Sequence, residues 1–228
     1  MEFCNKILFP LIEGFGFTCL IFIITLVASL PLGLVISFGS KSKIKPICVI
    51  TRGFVWIIRG TPLMLQILFL DIAPGLLSQA LDWGTALSIR HEWQHFMIAC
   101  IAFIINYACY FSEIFRGGIQ SVPAGQREAA QVLGLKKSQV FSKVIFMQVV
   151  KRVIAPMSNE IITLVKDTAL ASVIIKIDMF TVAKNLVNKE PEYFITPFLI
   201  AAVFYLLFNG LITVLLGKLE KKLDYFKV

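Results

Sequence analysis

The sequence predicts an all-α integral membrane protein with five transmembrane helices, and two observations support that fold class. Of the 228 residues, 57% are hydrophobic and only 16% are charged, with a mean hydropathy of +0.82. Soluble domains are roughly 45–50% apolar and about 25% charged. The apolar residues also form five runs, each near the ~20 residues that a helix needs to cross hydrocarbon. The predicted spans are about 15–38, 53–74, 96–115, 153–175 and 195–216, in a single domain covering residues 1–228.

Basic residues between these runs predict the orientation of the chain. Segments 39–52 and 116–152 and the C-terminal tail are rich in lysine and arginine, and 116–152 contains one acid. Segments 75–95 and 176–194 contain acids as well as bases. Because positive charge beside a span is retained in the cytoplasm, the N-terminus is predicted outside and the C-terminus inside. Topology therefore explains the net charge of +8, and no nucleic-acid partner is predicted.

The second basic segment, 116–152, has the sequence pattern of a helix, a turn and another helix. Proline fits the first turn of a helix, so Pro123 predicts a helix start, and this helix runs to Leu133. Gly134 supplies a left-handed stop, and Ser138 is placed to cap a second helix near residue 139 that runs toward Pro156. A simple connection between spans needs no such element. We interpret it as a docking site for a cytoplasmic partner.

Arg59 is the first charged residue that falls inside a predicted span. Ionisable groups are costly in hydrocarbon and are by default functional candidates. Two interpretations are open, because a long arginine side chain can extend to the inner surface or can face a polar path inside the bundle. The residues 60–62, Gly-Thr-Pro, favour the second, since they loosen the helix and free backbone carbonyls that need protein or water beside them.

The fourth predicted span contains three more charged residues, Glu160, Lys166 and Asp167, with the last two near its midpoint. Adjacent residues on a helix point about 100° apart, so Lys166 and Asp167 do not simply neutralise each other. Their predicted partners are Glu113 in the third span and Arg59 in the second. A purely structural network of buried ions is the alternative to a transport pathway.

Sequence motifs for chemistry on this chain are missing. The sequence contains no GxxxxGK[ST] phosphate loop, no HExxH and no GxSxG. Its five cysteines form no CxxC pair and are interpreted as small hydrophobic residues. His91 and His95 have the spacing of a metal pair, but beside Glu92 they are interpreted as a solvated helix start. We therefore predict that the chain is no enzyme and binds no metal or cofactor of its own.

Three stretches of the sequence resemble the polar amino acid permease family of ABC importers, the membrane subunits of histidine- and glutamine-type uptake systems. The resemblance runs from about residue 14 to 216, nearly the whole chain. The first stretch is Arg-Gly-Thr-Pro-Leu at 59–63 together with Gln66. The second and third comprise Tyr110, Ser112, Glu113, Arg116, Gly117, Gly118, Val122, Pro123, Gly125, Gln126, Glu128, Ala129, Ala130 and Gly134, then Pro156, Asn159, Lys166, Asp167, Thr168 and Leu170.

The resemblance implies a MetI-like permease fold in the cytoplasmic (inner) membrane and import of polar or charged amino acids by alternating access. In this family the Glu-Ala-Ala loop forms a coupling helix that docks on a separate ATPase subunit, which uses ATP and Mg. The other implied partners are an extracytoplasmic amino-acid-binding protein, membrane lipid and a second permease copy, in a homodimer or heterodimer. The implied coupling residues are Pro123, Gly125, Arg127, Glu128, Ala129, Ala130 and Gly134.

The small side chains of Ala129 and Ala130 let the coupling helix approach a partner closely, and Arg127 and Glu128 offer charge pairs at the rim of the contact. The candidate residues of the substrate pathway are Arg59, Thr61, Gln66, Glu113, Glu160, Lys166 and Asp167. We further hypothesise that the Arg59 guanidinium holds the α-carboxylate of the substrate, because its planar fork suits bidentate binding of a carboxylate.

The chain departs from the family pattern at Asp71, Met147 and Ala169. Asp71 either favours a cationic substrate or contacts lipid headgroups. An importer of another small polar solute is the nearest alternative function. An autonomous channel or ion-gradient-driven carrier is a more distant one, since five spans without an internal inverted repeat are few for such a carrier. A membrane enzyme is the most distant.

Overall fold

The computed structural model describes residues 3–81, 91–189 and 191–223, and every regular element in those ranges is helical. Parts of both predicted outer loops, at 82–90 and at residue 190, and the end of the tail lie outside the described residues. The α-helices are α1 (Phe9–Ser40), α2 (Lys45–Gly60), α3 (Leu63–Ala80), α4 (Glu92–Gln120), α5 (Ala124–Val132), α6 (Lys137–Gln139), α7 (Phe146–Asp167), α8 (Met179–Lys189) and α9 (Thr196–Leu223).

Short π-helical and 3₁₀ segments join some of these helices. The π-helical segment Cys4–Leu8 leads into α1, and Val140–Ile145 connects α6 to α7 without a break. The 3₁₀ segment Thr168–Val173 continues α7, and Pro191–Tyr193 lies between α8 and α9. The all-α prediction is therefore confirmed.

Four helical stretches of the described chain are long and apolar enough to cross a membrane. They are Cys4–Ser40, Leu63–Ala80, Glu92–Gln120 and Thr196–Leu223, which correspond to the first, second, third and fifth predicted spans. The fourth predicted span is occupied by α7, which has 22 residues and is about 33 Å long at 1.5 Å per residue. Its charged side chains make it less apolar than the other four.

The second predicted span, 53–74, is not one continuous helix. α2 ends at Gly60 and α3 begins at Leu63, with Thr61 and Pro62 both in extended conformations. The physical reason is Pro62, because a proline ring clashes with a helical conformation of the residue before it. The 16 residues of α2 reach only about 24 Å, so α3 is the part of this region with the length of a span.

Lys166 and Asp167 lie where α7 changes into a 3₁₀ segment. They are the last two residues of α7, and the 3₁₀ segment Thr168–Val173 follows at once. Pro156, toward which the second loop helix was predicted to run, lies inside α7. The loop helix and the fourth span are therefore one helical run, which places Asp167 at a helix end beside other polar groups.

The core of the bundle is formed around α4, which packs along α1 on one side and along α3 and α7 on others. The two long helices approach closely at Gly33, where a Cβ atom would lie 2.9 Å from both the carbonyl oxygen of Ala108 and the Cβ of Phe111. The largest side chains that are fully buried in this core include Tyr107, Phe103, Phe111, Ile21, Ile67 and Leu164.

Candidate functional site

A cavity of about 510 Å³ lies where the break between α2 and α3 meets α4 and α7. Four of the predicted pathway residues line it: Arg59, Thr61, Glu160 and Asp167. α4 contributes Asn106, Tyr107 and Tyr110 to the same wall, and α7 contributes Thr163. Side chains that are far apart in sequence thus meet around one polar space.

Arg59 lies in the last turn of α2 and faces the bundle. Its guanidinium carbon is 5.0 Å from the centre of the Tyr110 ring, within the range of a cation–π contact. Its Nη1 atom lies 3.7 Å from Oε2 of Glu113. The C-terminal end of a helix also favours a nearby cation. The structure thus agrees with the interpretation that Arg59 faces a polar path.

Gln66 holds the break between α2 and α3 in shape. Its Nε2 donates to the carbonyl oxygen of Ile58 (2.7 Å) and lies 2.8 Å from the hydroxyl oxygen and 3.1 Å from the carbonyl oxygen of Thr61. Its Oε1 accepts a hydrogen bond from Nδ2 of the buried Asn106 at 3.0 Å. Gln66 therefore does not line the cavity but stabilises the break beside it, because it donates to carbonyl oxygens that the break leaves without helical partners.

Asp167 and Glu160 supply two carboxylates to the cavity. Oδ2 of Asp167 accepts a 2.7 Å hydrogen bond from the hydroxyl of Tyr107, so its partner is a tyrosine of α4 and not the predicted Glu113 or Arg59. Glu160 lies half-buried and forms no hydrogen bond or ion pair within the described ranges. One carboxylate is thus oriented by a buried hydroxyl, while the other is open to the cavity.

Glu113 lies on the far side of Arg59, toward the basic end of the bundle. It forms a bidentate pair with Arg116, with Nε to Oε1 at 2.9 Å and Nη2 to Oε2 at 2.6 Å. A second cavity of about 290 Å³ is lined by Arg52, Arg59, Glu113 and Arg116. Because Arg59 lines both cavities, polar groups run without interruption from Asp167 to Arg116.

Two other predicted candidates lie away from the main cavity. The Lys166 side chain is exposed and has no side-chain partner in the part of the chain that is described. Oδ1 of Asp71 lies 2.7 Å from Nδ1 of His95, which joins α3 to α4. The His95 side chain therefore contacts a carboxylate, and the two side chains are only 25% and 17% exposed, so the interpretation of His95 as part of a solvated helix start is wrong.

Sequence reasoning missed the contribution of α4 to the cavity. Asn106, Tyr107 and Tyr110 were not predicted as pathway residues, although each is a polar residue inside an apolar run. Asn106, Tyr110 and Glu113 follow one another at spacings of four and three residues, which places them on one face of a helix. That spacing was the available signal.

The predicted helix and glycine stop in the loop are present, with small changes at the ends. α5 begins one residue after Pro123 and ends at Val132, and Gly134 has φ of +75°. The Leu135 N–H donates to the carbonyl of Ala130 (3.1 Å) and the Gly134 N–H to that of Gln131 (2.9 Å). This is a Schellman motif, whose left-handed residue is usually glycine.

The predicted cap of the second loop helix is wrong. The helix begins at Lys137, and Oε1 of Gln139 accepts the backbone N–H of Lys136 at 2.9 Å. Ser138 therefore lies within the first turn and makes no cap. Arg152, near the start of α7, donates to the carbonyl oxygen of Ser121 at the end of α4, so both ends of the loop are tied together.

The two alanines of α5 differ in their surroundings. Ala130 is 4% exposed and packs with Val122, Val140 and Ile145 of the loop itself, while Ala129 is exposed. Glu128 and Gly125 are exposed too. The most exposed apolar residues here are Val132 at 88% and Leu133 at 80%, which sequence reasoning did not single out. α5 thus presents an open face with an apolar end.

Comparison with known proteins assigns the family. The family described as binding-protein-dependent transport system inner membrane component matches residues 18–225. The arginine ABC transporter permease protein ArtM of Haemophilus influenzae is 30% identical over 217 residues, covering 95% of this chain and 93% of that protein. ArtQ of Escherichia coli, also an arginine permease, is 28% identical, with 96% and 97% covered. The L-cystine permease TcyB of Bacillus subtilis is 30% identical, with 93% and 86% covered.

Two solved structures share the fold. An amino acid ABC transporter crystallised with histidines has a TM-score of 0.80 at 29% identity, with 93% of this chain and 94% of that chain covered. The MetNI methionine ABC transporter in an inward-facing form has a TM-score of 0.67 at 13% identity, with 98% and 99% covered, which is a likeness of fold alone. The predicted permease fold is confirmed, and the chain belongs to the family of binding-protein-dependent transport system inner membrane components.

Proposed function

We propose that this chain is the permease subunit of an ABC importer and that it carries cationic amino acids by alternating access. The names of the arginine permeases among its relatives point to this class of substrate. The observation that carries the proposal is the charge of the 510 Å³ cavity, whose described lining holds one cation, Arg59, and two carboxylates, Glu160 and Asp167.

The charges of the cavity and of a cationic amino acid are complementary. Such an amino acid carries one carboxylate, one α-ammonium and a cationic side chain, which is the inverse of the lining. A neutral amino acid would leave one of the two carboxylates without a partner, and unpaired charge in a low-dielectric site is costly. The cavity volume also lies within the range of about 300–1,000 Å³ that is usual for small-molecule sites.

The cavity geometry indicates how the substrate would be oriented. The Arg59 guanidinium, at the end of α2, binds the α-carboxylate, because its fork matches the two oxygens. Glu160 and Asp167 lie on α7 and receive the two ammonium or guanidinium groups. The Tyr107 hydroxyl already donates to Oδ2 of Asp167, so the other carboxylate oxygen remains for the substrate.

We infer that five helices span the membrane: α1, α3, α4, α7 and α9. α7 is long enough at about 33 Å, and its charged residues face the cavity or lie near its ends. The N-terminus is then outside and the C-terminus inside, since the basic segments lie at one end of the bundle. Lys6→Cys and Lys218→Cys, each made in a variant whose five native cysteines are replaced, test this orientation. A membrane-impermeant maleimide should label only the cysteine at position 6 in intact cells.

The remaining subunits of the importer follow from the exposed loop. We propose that Glu128, Ala129 and Val132 of α5, with Leu133 directly after it, dock on a separate ATPase subunit, which binds and hydrolyses ATP with Mg. An extracytoplasmic binding protein delivers the amino acid, and a second permease copy completes the membrane part. The chain itself then needs no catalytic group, in agreement with the motifs that its sequence lacks.

Direct binding of amino acids to the purified transporter tests the substrate class. Labelled arginine and glutamine are titrated in detergent without the binding protein, so that selectivity of that protein does not enter. Wild-type transporter should prefer arginine, and Glu160→Gln should lower arginine affinity about tenfold or more while changing glutamine binding little. Arg59→Ala should weaken both ligands alike, because both carry the α-carboxylate.

Lys166→Gln is the matched control, since Lys166 adjoins Asp167 but its side chain is exposed away from the cavity. It should leave both affinities within twofold of wild type. Unchanged arginine binding in Glu160→Gln together with Asp167→Asn would refute the cationic substrate. Unchanged binding of both ligands in Arg59→Ala would refute the role of Arg59.

A further inference from the structure

A third cavity, of about 270 Å³, lies between the end of α1 and the loop that contains α5. Three cations line it: Lys41 directly after α1, Arg127 on α5 and Lys137 at the start of α6. Gln131 adds an amide, and no acid is among the described residues of its lining. The substrate pathway shares none of these residues, so the transport proposal leaves this cavity unexplained.

The cations of this cavity repel one another in the absence of an anion. Burial and the neighbouring charges of Arg127 and Arg116 lower the pKa of Lys41 below its ordinary value. Arg127 is turned back toward the membrane part of the chain, where its Nη2 atom lies 3.4 Å from the carbonyl oxygen of Ile119. Arg116 is neutralised by Glu113, but Lys41, Arg127 and Lys137 have no carboxylate beside them in the described structure.

The rest of the lining is apolar, which distinguishes the cavity from an ordinary basic surface. Ile119 of α4 and Val140, Phe141 and Ile145 of the π-helical segment form this part of the wall. Phe141 is 48% exposed, so the apolar wall opens outward. Cations above an apolar wall, at the end of a membrane-spanning helix, match the headgroup and first methylenes of a phospholipid. Basic pockets between helices on the cytoplasmic side bind such headgroups in membrane proteins.

We propose that the cavity between α1 and the α5 loop binds the phosphate of an anionic phospholipid from the cytoplasmic leaflet. Lys41 and Lys137 contact the phosphate from two sides, Arg127 contacts it from α5, and an acyl chain lies along Phe141. The lipid thereby joins the end of a span to the coupling helix. This inference depends on the membrane location and orientation of the chain and not on the transported substrate.

A carboxylate of the docked ATPase is the competing occupant. The orientation of Arg127 argues against it, because the guanidinium lies over the carbonyl of Ile119, toward the membrane part, while Glu128, Ala129 and Val132 form the open face of α5. The apolar part of the wall argues against it too, since a carboxylate has no chain to place along Phe141.

Native mass spectrometry of the purified transporter tests the site. Wild type, Lys41→Gln/Lys137→Gln and the matched control Lys136→Gln/Lys143→Gln are exchanged into equal amounts of phosphatidylglycerol and phosphatidylcholine. Both double variants remove two lysines from the same region, but Lys136 and Lys143 do not line the cavity. Wild type and control should retain phosphatidylglycerol preferentially, and the cavity variant should retain about 30-fold less of it.

Equal retention in the cavity and control variants would overturn the proposal, because it would show only a diffuse basic surface. Displacement of phosphatidylglycerol by inorganic phosphate would overturn it as well, since the site would then take a free anion. Loss of the ATPase subunit from the cavity variant in lipid-free detergent would identify a protein carboxylate as the occupant and refute the lipid.

Discussion

Gly134, the left-handed stop after α5, and Gly125, inside α5, should respond in opposite ways to substitution by alanine. Gly134 has φ of +75° and no atom within 4 Å of a Cβ built on it, so strain in the backbone is the whole cost of alanine there. That strain is about 1–2 kcal/mol for a left-handed residue with a Cβ. Gly125 lies in the first turn of α5 and is equally open. Alanine at that position should stabilise the helix by up to about 1 kcal/mol, from propensity alone.

Amide hydrogen exchange of the transporter in detergent measures both effects. The amides of Gly134 and Leu135 close the Schellman motif, so they report its opening directly. In Gly134→Ala they should exchange about 5–30 times faster, which is the factor that corresponds to 1–2 kcal/mol. In Gly125→Ala they should exchange at the wild-type rate or more slowly.

Substrate-stimulated ATP hydrolysis should depend on the left-handed conformation of residue 134. Gly134→Ala should insert normally but lower substrate-stimulated ATP hydrolysis, because the chain after α5 leaves at a different angle. Gly134→Asp adds a charged side chain and should abolish the stimulation. Wild-type exchange rates in Gly134→Ala would refute the reasoning, because they would show that alanine adopts the left-handed conformation at this position without strain.

Three further predictions concern stability. Gly33→Val should lower the free energy of unfolding by about 1–3 kcal/mol, because the added side chain overpacks α1 against α4. Gly16→Val lies in open space on the same helix and should change that free energy by less than about 0.5 kcal/mol. Denaturation in mixed micelles measures both variants. Burial raises the pKa of Asp178 above its ordinary 3.8, so folding favours the protonated carboxyl. The melting temperature should therefore fall as the pH rises from about 4 through the folded pKa of Asp178. Asp178→Asn should remove this dependence on pH. Glu113→Gln should cost about 1.5–3 kcal/mol in the same denaturation assay, because Arg116 loses its bidentate carboxylate, and an unchanged midpoint would contradict the pairing.

The long helices could be predicted because hydrocarbon thickness sets the length of an apolar run. The break at residues 61–62 was visible as Gly-Thr-Pro, but the apolar residues on either side gave one continuous run, so composition alone joined α2 to α3. The helix that contains Asp167 likewise extends beyond its apolar run. This helix begins at Phe146, whereas the predicted span begins at residue 153, because an amphipathic helix that packs on others needs no uniform hydropathy.

The cavity could be predicted only in part, since a charge in a span indicates a polar surrounding but not its partners. Asp167 was identified, yet its bond to Tyr107 depends on the packing of α7 against α4, which no local pattern reveals. The face of α5 that we propose for docking shows the same limit. Periodicity placed Ala129 and Ala130 on one helix, but the tertiary fold of the loop buries one of them and exposes Val132 and Leu133 instead.

The contacts of α4 explain how the loop 116–152, in its proposed coupling role, can act on the cavity. α4 ends at Gln120, and Arg152 of α7 donates to the carbonyl of Ser121, so a displacement of the loop moves the near ends of both helices together. Glu113 lies two turns before the end of α4 and attracts Arg59 electrostatically. Glu160 of α7 lines the same cavity as Arg59. A rigid shift of the two helices therefore changes the distances from Arg59 to its carboxylates. If the substrate binds to those same charges, as proposed, the motion that opens the cavity also weakens substrate binding.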